Sequence, residues 1–246
     1  MKNIYFCGKD VGFKSLKWLI NNKFIPQKVI VSSKEDKEII DLCKKKKISF
    51  IVYDKKKLFK FFQKFNENHF DWLLSLWNSY IVPQVILKKF KNTLNFHPSF
   101  VPYCKGSDTA AWTLISKSIA GVSLIQMGKK VDEGDFWVRK RINYQYPIAG
   151  YELQKILKKN ILDLFCKNWE KIYKNRIKPK KISYLVKGSK FTRKETNLDR
   201  IKDLKNNKYL EKYIRWMLAH DFQNRSRACL KIGKNKYLVN LSLKKI

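Results

Sequence analysis

The sequence predicts an α/β protein: a mostly parallel sheet with helices on both faces, followed by a small C-terminal helix and β-hairpin extension. Two observations in the first half of the chain predict the sheet, since short apolar runs alternate with stretches of helical periodicity, and each run stops at turn-forming residues. A third comes from the far end, where two strand-like runs flank Gly233-Lys234-Asn235.

The elements follow in order. Asn3 to Cys7 is an apolar strand stopped by Gly8, and Leu16, Trp18, Leu19 and Ile20 mark the helix behind it. Lys28 to Val31 is a second strand, Glu38 to Lys45 a helix, and Ile48 to Val52 a third strand. Leu58 to Phe65 reads as a helix, Trp72 to Leu76 as a buried strand, and Pro83 to Phe90 as a short helix with proline in its first turn. Thr93 to His97 is strand-like and ends at Pro98, and a loop punctuated by Pro102 and Gly106 follows. Ala110 to Ser116 is expected to be helical, Val122 to Met127 an alternating strand, Phe136 to Ile142 another strand, and Tyr151 to Tyr173 a long amphipathic helix. Beyond Ile177 the chain turns to Lys-rich loops, a helix over Leu210 to Leu218 and the hairpin of Ala228 to Leu241. A boundary near residue 180 divides a catalytic domain, 1–180, from a small extension, 181–246.

With 246 residues and 44% hydrophobic content, the chain is long and apolar enough to bury a core. No apolar run reaches the roughly 18 residues of a membrane span and no signal-peptide pattern opens the chain, so a soluble, cytoplasmic protein without membrane contact is expected. Five scattered cysteines without a CxxC pair predict neither a disulfide framework nor a zinc site. The three histidines, His69, His97 and His220, have no helical i, i+4 spacing, so no metal is expected. The formal net charge of +34 fits either a positive field for polyanions or an AT-rich coding bias, because the cations are mostly lysines. Gly8 to Gly12 does not form GxGxxG, which leaves dinucleotide binding without support.

Asn95 and His97 stand two apart on one strand, so their side chains share a face at its carboxyl end, where ligands bind on such sheets. Asp132 lies in a glycine-containing turn after a later strand, within reach of the same crevice. An amide donor for an oxyanion, an imidazole for proton transfer and a carboxylate that fixes its tautomer are the groups that acyl transfer to an amine needs. A lone strand-end histidine or turn aspartate is more often structural. The combination gains weight from its surroundings.

The stretch Asn95-Phe96-His97-Pro98-Ser99-Phe100-Val101-Pro102-Tyr103-Cys104-Lys105-Gly106 resembles the signature of the folate-dependent formyltransferases, and Gly121 to Met127 with Val131-Asp132-Glu133-Gly134-Asp135 resembles that family's second motif. The resemblance implies a Rossmann-like fold and 10-formyltetrahydrofolate as donor, with Asn95, His97 and Asp132 as catalytic residues. It further implies that Leu74, Leu76 and Trp77, with Met127, Val131 and Asp135, wrap the pterin largely through backbone groups.

Within that family the acceptor is a methionyl-tRNA, glycinamide ribonucleotide or a nucleotide-linked amino sugar. The long basic insertion that the tRNA enzymes carry after the second strand is absent, since Val31 runs almost directly into a helix. Layout is closest to the sugar N-formyltransferases of deoxysugar and lipopolysaccharide biosynthesis, which implies a nucleotide-linked amino sugar and a homodimer built on the extension. Lys9, Tyr103 and Lys105 are the candidate substrate contacts. A methionyl-tRNA formyltransferase is the alternative reading, and a basic nucleic-acid-binding protein on an inactive scaffold is a minor one.

Overall fold

The computed structural model describes residues 2–128, 130–146, 148–182, 188–199, 201–203, 210–222 and 228–241. Lys129, inside the loop assigned to the pterin, and parts of the extension lie outside them. The chain divides into two compact units: Met1–His97, Ser123–Val138 and Ile161–Ile182 form the first, and Pro98–Val122, Arg139–Asn160 and Ser183–Ile246 the second.

The first unit opens with β1 (Asn3–Cys7), α1 (Lys9–Asn21), β2 (Lys28–Val31), α2 (Lys37–Lys45), β3 (Phe50–Val52), α3 (Lys55–Phe62), β4 (Phe70–Leu76), α4 (Gln84–Leu87) and β5 (Phe90–His97). Further along come β6 (Lys105–Gly106), α5 (Thr109–Ile115), β7 (Gly121–Ile125), β8 (Phe136–Arg141) and α6 (Gly150–Tyr173). The main sheet runs β3-β2-β1-β4-β5-β7-β8, with β1 to β5 parallel and β7 antiparallel to β5. Strand order reverses direction between β1 and β4, which makes the carboxyl ends of these two strands the switch point where α/β sheets bind ligands.

Strands β1 and β7 are buried at every position and β4 at every position but Asp71, so these strands are covered on both faces. On one face α3 and α4 place Leu58, Phe62, Ile86 and Leu87 against Ile4, Phe6 and Leu73. On the other, Phe165 and Trp169 of α6 meet Phe96 and Trp72 at ring distances of 5.0 Å each. Asp54 caps α3 by accepting the Lys57 N–H at 2.8 Å, which starts the helix three residues before the apolar period does.

Several expectations shift. The strand read as alternating over 122–127 is Gly121–Ile125 and buried throughout, its polar member Ser123 included, in register with His97 of β5. The region after Ile177, read as loops before its helix, also contains β9 (Lys190–Phe191), α7 (Arg193–Asp199) and β10 (Ile201–Asp203). These elements have two to seven residues and depend on long-range pairing, such as Lys105 with Lys190. Helix α8 (Leu210–Ala219) and the hairpin of β11 (Cys229–Ile232) and β12 (Asn235–Leu238) follow, with Gly233 at φ +60 in the turn.

Within the second unit, Trp112 of α5 stacks on Phe191 at 3.8 Å and donates its indole N–H to Thr196 at 2.9 Å. Arg193 Nε lies 2.8 Å from the Asp108 carboxylate. Gly106, at φ +92, lies so close to the Phe191 carbonyl that a Cβ would sit 2.0 Å from it, so only glycine fits. All five cysteines are free, and burial pushes the Cys7 thiol well up and that of Cys43 to about 11. No helix among the described residues is long and apolar enough to cross a membrane.

Candidate active site

The three catalytic candidates all fall in the first unit. Asn95 and His97 close β5, and strand alternation turns both to the face covered by α3 and α4. His97 is 3% exposed, and its Nδ1 lies 3.5 Å from Asp132 Oδ2, whose side chain is 9% exposed. Facing a carboxylate, Nδ1 is the nitrogen that carries the proton in the neutral ring, which leaves the lone pair on Nε2. Nε2 is buried and has no hydrogen-bond partner among the described residues. A buried imidazole oriented on one side and open on the other is suited to take a proton from a substrate.

Asp132 reaches His97 because its loop is held at both ends. The Gln126 N–H donates to the Asp135 carbonyl at 2.7 Å, and Asp132 adopts a left-handed φ of +56. A Cβ on Gly134 would lie 2.1 Å from the Gln126 carbonyl, so the loop closes this tightly only with glycine there. At its base the Met127 N–H donates to Thr93 Oγ1 at 2.8 Å, and the Trp137 indole N–H donates to the Thr93 carbonyl at 3.0 Å. Thr93 precedes Asn95 by two on the same face, so one side chain fastens the Asp132 loop to the strand that carries Asn95 and His97. Thr93→Val, which keeps the shape and removes the hydroxyl, is expected to cost about 1 kcal/mol of stability. It should also lower kcat roughly tenfold through a misplaced Asp132. Thr93→Ser should restore most of both, as read by thermal melts and steady-state rates.

The residues assigned to the pterin are placed unevenly. Leu74 and Leu76 are fully buried and register with Leu94 and the β1 residues Tyr5 and Cys7, on the face opposite Asn95. What they offer on the Asn95 side is backbone alone. Trp77 is half-buried in a left-handed conformation of φ +60, Met127 and Asp135 are half-buried, and Val131 is 37% exposed. Ser75, which sequence reasoning passed over, lies between Phe6 and Asn95 in one row across the sheet, 3% exposed. Its signal was available in the strand period, one polar residue among three leucines.

The three substrate candidates are divided between the units. Lys9 is exposed in the first, with its backbone N–H already given to Asp36 Oδ1 at 2.8 Å. The other Asp36 oxygen accepts the Ser33 N–H at 3.1 Å, so an internal carboxylate both fills the start of α1 and pins the short turn after β2. Tyr103 and Lys105, both half-buried, are in the second unit, where the Lys105 N–H donates to the Ser189 carbonyl at 2.8 Å. A cavity of about 220 Å³, lined by Phe6, Tyr53, Lys55, Phe59, Tyr80 and Ile81 among others, opens beside the carboxyl ends of β1 and β4. Tyr53 and Tyr80 stack there at 3.5 Å and 2°. Among the described residues no group of three His, Cys, Asp or Glu side chains converges as a metal site would require.

A parallel sheet with its switch point beside a buried His–Asp pair and a strand-end amide defines a group-transfer site on a Rossmann-like scaffold. The sequence pattern of the formyl transferase family matches residues 21–146, just over half the chain, and the chain belongs to that family. It is 25% identical over 195 residues to the methionyl-tRNA formyltransferase of Mycoplasma capricolum, spanning 70% of this chain and only 60% of that relative's length. In structure it is similar to a 4-N formyltransferase from Francisella tularensis, with a TM-score of 0.83 at 18% identity over 100% of this chain and 99% of that one. It is also similar to an N-formyltransferase from Helicobacter canadensis in complex with folinic acid and dTDP-3-aminofucose, at a TM-score of 0.76 and 20% identity over 96% and 86% of the two chains.

Proposed function

We propose that this chain is a cytoplasmic sugar N-formyltransferase that moves a formyl group from 10-formyltetrahydrofolate to the amine of a nucleotide-linked amino sugar, in deoxysugar or lipopolysaccharide biosynthesis. The observation that carries the reaction is His97, oriented by Asp132 through Nδ1 and left with a buried, unpartnered Nε2. The folate supplies the formyl group. Asn95 donates its amide N–H to the oxyanion that develops when the neutral amine attacks the formyl carbon. His97 Nε2 takes the proton the amine loses, and Asp132 stabilises the resulting imidazolium. As the bond from the formyl carbon to the folate N10 breaks, His97 returns the proton to that nitrogen, leaving a formamide and tetrahydrofolate.

Support for a sugar acceptor comes from the short turn Ser32–Asp36 between β2 and α2, pinned by the Asp36 carboxylate where the tRNA enzymes carry an insertion. Lys9, Tyr103 and Lys105 are the proposed contacts to the nucleotide sugar, with the two lysines for its diphosphate. The likeness to methionyl-tRNA formyltransferase in sequence keeps charged tRNA as a second acceptor to be tested. A homodimer would use β12, an edge strand exposed along its length with Tyr237 48% and Leu238 69% exposed.

Incubating the protein and 10-formyltetrahydrofolate with a panel of amino-sugar nucleotides and with charged initiator tRNA, followed by mass spectrometry, tests the proposal. A mass gain of one formyl group on a sugar nucleotide is expected. Formylation of the tRNA alone would overturn the sugar reading, and no transfer to any amine would overturn both. Sedimentation of the same preparation tests the dimer.

A further inference from the structure

A net charge of +34 arises either from coding bias, which scatters lysines over the whole surface, or from selection for a binding field, which gathers them on one side. In the first unit the parallel strands have two edges. At the carboxyl edge, beside the proposed site, lysines are interleaved with Asp10, Asp36, Glu38, Asp54 and the acids of the 132–135 loop. At the amino edge, where the helices finish, the cations gather. Helix α2 runs out into Lys44-Lys45-Lys46-Lys47, all exposed, just before β3, and Lys23 ends the last turn of α1. Lys88 and Lys91 flank the entry to β5. Lys174 and Arg176 follow α6, whose last ring, Tyr173, lies 5.0 Å from Phe24 in the α1–β2 connection. Carboxylates at this edge are already held: Glu67 by Lys88 at 3.3 Å, Asp71 by Lys91 at 2.9 Å and Glu170 by Lys174. Lys23 and the Lys44–Lys47 run pair with no carboxylate among the described residues.

The helix dipole accounts for part of this gathering, since it favours a cation in a last turn, where Lys44 and Lys45 stand. It does not account for Lys46 and Lys47 beyond that turn, where four adjacent ammonium groups repel one another. Nor does it explain Lys23 and Lys47 in left-handed backbone, at φ +65 and +54, where glycine fits without strain. Amid these cations the α1–β2 connection exposes an aliphatic side chain. Phe24 anchors that connection, meeting Trp169 edge-on at 6.0 Å and accepting the Tyr5 hydroxyl on its carbonyl at 3.3 Å. The next residue, Ile25, is 50% exposed. A fixed loop that presents one aliphatic group within a field of lysines supplies both signals of peripheral membrane contact, charge and apolar insertion.

We propose that the amino edge of the main sheet docks the protein peripherally on a bilayer rich in anionic lipid headgroups. Lys23 and Lys44 to Lys47 meet headgroup phosphates, and Ile25 enters the interfacial layer. Such contact needs no membrane-spanning helix. Side-chain type favours lipid over nucleic acid, because RNA surfaces draw on arginine for bidentate phosphate contacts and on exposed aromatic rings for stacking. This edge offers lysines and an aliphatic tip instead. Docked in this way, the carboxyl end of β5, with Asn95 and His97, lies on the side of the sheet away from the bilayer and stays open to soluble substrates. The lysine contribution is screened by salt, whereas that of Ile25 is not.

The test is co-sedimentation of the full chain with vesicles of phosphatidylcholine alone and of an equimolar mixture of phosphatidylcholine and phosphatidylglycerol, at low and high salt. Binding to the mixed vesicles at low salt is expected, with none to phosphatidylcholine. Replacing Lys44 to Lys47 together by glutamine should weaken the binding about a hundredfold at low salt. Ile25→Ser should weaken it about fivefold at any salt at which binding is measurable. Lys34→Gln with Lys37→Gln, exposed at the carboxyl edge, should leave it nearly unchanged. Melting temperatures show that each variant is folded. Failure of the native protein to bind the mixed vesicles would overturn the proposal. An equal loss from the carboxyl-edge pair would overturn it too, as the signature of net charge alone. Loss of binding to a single-stranded RNA, with vesicle binding intact, in the Lys44 to Lys47 variant would assign the run to nucleic acid and likewise overturn it.

Discussion

Replacement of His97 by alanine is expected to lower kcat for formyl transfer by about 10² to 10⁴, the usual contribution of a positioned acid–base group. Asn95→Ala should cost about 10² to 10³, as loss of an oxyanion donor does. His97 sits 3% exposed beside Asp132, so its removal also takes the imidazole away from that carboxylate, and Asp132→Asn should weaken the reaction by releasing the ring from its tautomer. Because the three act as a unit, the double variant His97→Ala with Asp132→Asn should be scarcely slower than His97→Ala alone. Steady-state kinetics on variants whose melting temperatures stay within a few degrees of the parent would check this. Independent, additive losses would show that Asp132 does not act through His97.

The second large effect concerns stability. Trp169→Ala should destabilise the first unit by about 3–5 kcal/mol, the range for emptying a buried aromatic site. Trp169 is fully buried and meets Trp72 edge-on at 5.0 Å, Phe165 at 5.5 Å and Phe24 at 6.0 Å. Against a total of about 5–15 kcal/mol such a loss is large. Its indole nitrogen has no hydrogen-bond partner among the described residues, so Trp169→Phe removes an unsatisfied donor along with part of the volume and should cost much less than alanine. Denaturant unfolding at constant m would measure both. The same aromatic layer supports the site, since Phe96, between Asn95 and His97, packs on Phe165 from the far side of the sheet at 5.0 Å.

Much of this arrangement is legible in the residues because strand and helix periods are local. Asn95 and His97 share a face by alternation alone, and Lys28–Val31 is bounded in the fold as its apolar pattern bounds it. Where the reading slipped, a helix cap or a distant partner decided. Helix α3 begins at Lys55 because Asp54 caps it, although its lysines hide the apolar period until Leu58. Ser123 looks like the polar face of an alternating strand, yet it is fully buried opposite His97. Strands β6 and β9 have no local signal at all, being two residues each and joined across Lys105 and Lys190.

By itself, then, the sequence determined the alternating α/β order, the shared face of Asn95 and His97, and the motifs that mark the family, all consequences of spacing along one chain. Tertiary structure alone decided that Asp132 comes to 3.5 Å from His97, that Thr93 ties its loop to β5, that Leu74 and Leu76 turn away from the site, and that Asp36 fills the start of α1. Each of these depends on contacts between residues far apart in the chain. Such contacts are set by close packing and by the need to pair buried polar groups, which no local pattern encodes.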